Sequence, residues 1–127
     1  MAQVVVYGRR DVLDRQRGAL SDAAHGAVMS ALDHPAEKGF HRFIALDAAD
    51  FVHPENCGDD YPIIEISMFE GRTPAARRAL ISELFTRVEA EAGIAHHGLE
   101  ITITETPKVS WGVRGQNAAR AGLQTNG

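Results

Sequence analysis

The stretch Pro62-Ile63-Ile64-Glu65-Ile66-Ser67-Met68-Phe69-Glu70-Gly71-Arg72-Thr73-Pro74 changes character once, and the change decides the fold. Its Ile-rich first part, Pro62 to Phe69, reads as a strand. Thr73-Pro74 then supplies a hydroxyl at a helix N-cap and a proline at the first helical position, where no backbone N–H is needed. Downstream, Leu80, Ile81, Leu84, Phe85 and Val88 recur at the spacing of one helical face, and Gly93 stops the pattern. Leu99, Ile101 and Ile103 alternate with Glu100, Thr102 and Thr104, the signature of a half-buried strand. The second half is thus a strand, a helix and a strand.

Upstream the plan repeats. Val4-Val5-Val6-Tyr7 predicts a strand at about 3–8, and the polar break Gly8-Arg9-Arg10-Asp11 is expected to turn the chain and cap a helix. Leu20, Ala24, Ala27, Val28, Ala31 and Leu32 give a helical stripe from Val12 to Leu32, ended by His34-Pro35. Phe43, Ile44 and Leu46 predict a strand near 41–47, and Asp50 to Asp60, with Pro54, Asn56 and Gly58, reads as a polar loop or loose hairpin. The halves also echo in letters, Gly8-Arg9 with Gly71-Arg72 and Arg17-Gly18-Ala19-Leu20 with Arg77-Arg78-Ala79-Leu80.

The expected class is α+β: two tandem β-α-β units, at about 1–50 and 61–106, in one domain over 1–127. Each parallel pair needs a crossover on one side of the sheet, so a four-stranded sheet carries both helices on one face. Its other face needs cover, which predicts self-association. The tail 107–127, with Trp111-Gly112 and Gly115, is expected to be loop or edge hairpin.

Composition narrows the function classes. The chain of 127 residues is 44% hydrophobic, enough for a core without staples. With 13 Lys+Arg and 17 Asp+Glu the net charge is 13 − 17 = −4, which argues against generic nucleic-acid binding. No apolar run approaches the roughly 18–20 residues of a membrane span. The lone Cys57 and the absence of a charged-then-apolar leader predict a reducing cytosol. Lys38 and Lys108 are the only lysines, so the cations are mostly planar guanidinium forks suited to carboxylates. His96-His97 lacks the spacing of a zinc site, Cys57 has no nearby His, and His25 reads as a packed helix residue. Neither Gly8 nor Gly71 opens a phosphate loop, since the spacing and a following Lys-Ser/Thr pair are missing.

Phe69-Glu70-Gly71-Arg72-Thr73, Arg78-Ala79-Leu80-Ile81, Ile103-Thr104-Glu105 and Lys108-x-x-Trp111-Gly112-x-x-Gly115 together resemble the oxalocrotonate tautomerase pattern. Ala19-Leu20-Ser21-Asp22-x-x-His25-x-Ala27 and Ala31-Leu32-x-x-Pro35 are similar to the malonate semialdehyde decarboxylase type of the same tautomerase superfamily. The resemblance implies two β-α-β units packed as a homotrimer and chemistry on small keto or enol carboxylic acids, with decarboxylase or hydratase variants. It implies no metal or organic cofactor, an N-terminal proline as base, and arginines holding the substrate carboxylate.

The chain departs from that pattern where the base should stand. Ala2 follows Met1, so removal of Met1 would leave a primary amine with a pKa of about 7.7–8.0, roughly a tenth of it free base at pH 7. Lys38 stands where the decarboxylase-like chains carry an Asp, Glu70 where they carry the first of two arginines, and Glu100 where the oxalocrotonate tautomerase pattern has its last-strand arginine. Arg72 matches. Pro62, which begins the second unit, is internal, and its nitrogen is an amide. Expected site residues are therefore Ala2 as a non-proline base and Arg72 as the catalytic cation, with Arg114, Trp111, Lys38 and His41 around the substrate. Arg9 is an alternative second cation. The activity expected is low or atypical, and the alternative is a catalytically inactive trimer that binds a small acid or serves as a scaffold.

Overall fold

A computed structural model of the chain describes residues 2–33, 39–58 and 60–120. Strand β1 (Ala2–Arg9) leads into helix α1 (Arg10–Leu32) and strand β2 (Phe40–Leu46); strand β3 (Ile63–Phe69), helix α2 (Pro74–Ala92) and strand β4 (Glu100–Thr106) repeat the unit. A two-stranded hairpin, β5 (Gly112–Val113) and β6 (Gln116–Asn117), follows. The main sheet has the order β2-β1-β3-β4. Pairs β1/β2 and β3/β4 are parallel, as β-α-β units require, and β1 and β3 join them antiparallel.

The local signals explain the boundaries. Thr73 Oγ1 accepts from the Ala76 N–H at 3.1 Å with Pro74 at the first helical position, and Gly93, at φ 70°, closes α2 by donating its N–H to the Glu89 carbonyl. At the first helix the expected polar turn is absent. Arg9 ends the strand in extended conformation with no side-chain cap, and Arg10 begins the helix directly. The polarity there serves surface ion pairs instead, Arg9 with Asp11 at 3.3 Å and Arg10 with Asp47 at 3.0 Å.

One sheet face is buried. Val4 and Val6 of β1 and Ile64 and Ile66 of β3 pack with Leu13, Leu20, Ala24 and Ala27 of α1 and Leu80, Leu84 and Val88 of α2 in one core. Both helices therefore lie on this face, and they also pack on each other. Small residues on α1 allow the close approach; a Cβ at Gly26 would meet the Arg87 guanidinium at 2.5 Å. The opposite face carries Val5, Tyr7, Phe40, Ile44, Ile63 and Glu65, with Phe40 66% and Ile44 41% exposed.

Register fixes what meets at each end of the sheet. Ala2 lies opposite Met68, Gln3 opposite Phe40 and Ser67, Met68 opposite Glu105, and Phe69 opposite Thr106. The starts of β1 and β2 and the ends of β3 and β4 thus share one end. Arg9, Leu46, Ile63 and Glu100 share the other.

Candidate functional site

Four of the expected residues, Ala2, Arg72, Trp111 and Arg114, come to the end of the sheet where β1 begins. Ala2 is buried, its side chain on the helix-covered face. Its carbonyl oxygen would stand 2.9 Å from a Cβ at Gly39, so glycine there allows the backbone to pass against the start of β1. On the other side of the sheet a hollow of about 250 Å³ is lined by Gln3, Phe40, Trp111, Gly112, Val113 and Arg114.

The tail builds one wall of this hollow. Arg114 and Gly115 have φ of 47° and 83°, the two left-handed residues of a tight hairpin turn joining Val113 to Gln116. An arginine in left-handed conformation is uncommon, and it holds this guanidinium at the exposed tip. Trp111 is fixed from behind. Its ring meets Phe69 edge-on at 4.8 Å, its carbonyl accepts from the Ala118 N–H, and Lys108 Nζ lies 5.6 Å from the Phe69 ring centroid. Phe69 is fully buried although it belongs to the sheet face away from the helices, because Trp111 covers it.

Arg72 stands at the same end, in the β3–α2 turn, and does not line that hollow. Its Nη2 donates to the Leu32 carbonyl at 3.0 Å, capping the C-terminus of α1. Its Nε is buried without a hydrogen-bond partner among the described residues. Burial pushes the guanidinium pKa down, and nearby Asp33 opposes that shift. The turn is held by Arg77, whose Nη1 donates to the Arg72 carbonyl at 2.9 Å and to Glu105 Oε1 at 2.7 Å.

His41 and Arg9 do not line the hollow. His41 is on the helix-facing side of β2, where Nδ1 shares a 2.7 Å hydrogen bond with Ser21 Oγ and the ring lies 6.5 Å from that of His25. It is not in the hollow, because strand alternation gives that side to its neighbour Phe40. Lys38 lies outside the described residues. Arg9 is at the far end of β1, about 23 Å from Ala2 at strand rise, and pairs with Asp11. Within one chain it therefore does not reach this site. Among the described residues no three His, Cys, Asp or Glu side chains gather as metal ligands, and no helix is long and apolar enough to cross a membrane. Gln3 and Phe40 were not singled out from the sequence. The signal for them lies in pairing register, which needs the partner strand.

A sequence family described as tautomerase enzyme matches residues 38–114. The chain is similar to the 2-hydroxymuconate tautomerase of Pseudomonas putida, at 33% identity over 61 residues that cover 48% of this chain and 97% of that protein. Two solved structures share the fold. A malonate semialdehyde decarboxylase superposes with a TM-score of 0.82 at 18% identity, covering 94% of this chain and 97% of that one. A fused 4-OT, described as an asymmetric trimer, superposes with a TM-score of 0.82 at 22% identity, covering 95% and 99%.

Proposed function

The chain belongs to the tautomerase family, and from that premise we propose that it acts on a small keto or enol carboxylic acid by proton transfer, with a base that is not proline. The observation that carries this reading is the meeting at one end of the sheet of Ala2, the Arg72 turn and a small hollow bearing Arg114 and Trp111. In the proposed mechanism Met1 is removed and the Ala2 amine takes the proton. Arg114 holds the carboxylate, Trp111 walls the apolar part, and Arg72 offers positive charge from the turn where negative charge develops. Lys38 is assigned to the rim on sequence grounds alone.

The proposed working form is a homotrimer in the cytosol. Exposed Ile44 on the uncovered sheet face supports the assembly, as does the trimer described for the fused 4-OT. The single thiol supports the compartment.

The test is ketonisation of phenylenolpyruvate. Arg114→Ala is expected to lower kcat/KM about 10- to 100-fold, chiefly through KM, the worth of a charge-assisted hydrogen bond. Arg72→Ala is expected to lower kcat. Unchanged turnover in both variants would remove the mechanism. A second reading, an acid-binding protein without turnover, is favoured by the Arg72 guanidinium already serving Leu32. Ligand-induced stabilisation with no turnover over a panel of acids would select it.

A further inference from the structure

The hollow beside Trp111 contains a polar group that the proposed mechanism does not use. Gln3 lines it, one residue from Ala2. Gln3 Oε1 accepts a hydrogen bond from Arg42 Nη2 at 3.1 Å. Gln3 and Arg42 are diagonal neighbours on the uncovered sheet face, since Gln3 pairs with Phe40 and Arg42 with Val5. A guanidinium only donates, so this contact fixes the amide with its oxygen toward Arg42. Both Nε2 protons are left without a hydrogen-bond partner among the described residues. The residues lining the hollow thus include two rich in donors, Gln3 and Arg114, beside Phe40, Trp111 and Val113, and no Asp or Glu among the described residues lines it.

We propose that Gln3, oriented by Arg42, is a substrate-recognition residue. Its Nε2 donates to the carbonyl oxygen of a 2-oxo monocarboxylate whose acid group sits on Arg114 and whose apolar tail lies against Phe40 and Trp111. The inference rests on the acid-binding reading above and adds to it one residue that reads the carbonyl oxygen of the bound acid. The volume agrees. About 250 Å³ falls below the roughly 300–1,000 Å³ of pockets for drug-sized ligands. Arg42 is a positioning residue here; without it the amide is free to turn its oxygen to the hollow.

Calorimetric titration of the full chain with phenylpyruvate and with 3-phenylpropanoate, which lacks the 2-oxo group, tests the proposal. The wild type is expected to bind phenylpyruvate about tenfold more tightly, the worth of one hydrogen bond. Gln3→Leu is expected to abolish that ratio while leaving 3-phenylpropanoate affinity within about twofold. Gln3→Glu keeps the acceptor for Arg42 and turns an anion to the hollow, so it loses both acids. Arg42→Ala is expected to reduce the ratio, a change in selectivity that loss of surface stability alone would not produce. A wild type without preference, or a Gln3→Leu chain that keeps it, overturns this assignment and leaves acid binding intact. If neither acid binds the wild type, the assignment and the acid-binding reading fall together.

Discussion

Arg72 carries one observed role and one proposed role, and a single substitution removes both. Its Nη2 caps the last turn of α1 through the Leu32 carbonyl, and the proposed mechanism asks the same guanidinium to face developing negative charge. Arg72→Ala is therefore expected to lower stability by about 1 kcal/mol in urea melts, the net worth of one such hydrogen bond, as well as activity. An undiminished melting midpoint would remove the capping role. The two tyrosines offer a second check at this scale. The phenols of Tyr7 and Tyr61 donate to Glu65 and Glu100 at 3.1 and 2.8 Å, and those bonds to carboxylates raise both pKa values above 10.0. A raised folded-state pKa favours the neutral, folded form below the unfolded value, and that contribution is lost as pH rises through the folded-state value. Absorbance at 295 nm should therefore titrate later than free tyrosine, and Glu65→Gln with Glu100→Gln should move it earlier. A titration unchanged by those substitutions would contradict the paired phenols.

Among the elements, α2 owes its start to Thr73 and its seat to a stripe of leucines. Thr73→Ala removes the acceptor of the Ala76 N–H and is expected to cost about 0.5–2 kcal/mol. Leu84→Ala, at a fully buried position, is expected to cost about 2–5 kcal/mol. Equal losses in thermal melts of the two variants would contradict this ranking. These elements were legible in the sequence because their signals are local: a Thr-Pro start, a 3.6-residue stripe, a Gly stop, an alternating Ile-Thr strand. The passage from β1 to α1 was misread because Gly8-Arg9-Arg10-Asp11 has the composition of a turn, whereas its charges belong to surface ion pairs. The lining of the candidate hollow was legible in part. Trp111 and Arg114 were found through glycines that punctuate the tail. His41 was misplaced by one step of strand alternation, and Gln3 and Phe40 meet only once β1 and β2 are paired in register.

At the scale of the whole molecule, two β-α-β units joined antiparallel leave one sheet face without helices, and apolar side chains stand exposed on it. Ile44→Asp places a charge in the middle of that face and is expected to shift sedimentation from an assembly to the single chain. A wild type that sediments as one chain would remove the proposed trimer. The same joining brings the start of β1 beside the end of β3, so in the proposed mechanism the first unit supplies the amine and the second supplies Arg72 and the hairpin with Arg114. The most direct test of this shared site is the rate of phenylenolpyruvate ketonisation by the wild type and by Ala2→Pro, with loss of Met1 established for both by intact mass. Slow but measurable turnover by the wild type and faster turnover by Ala2→Pro is the predicted result; no turnover by either mature chain would contradict proton transfer at Ala2.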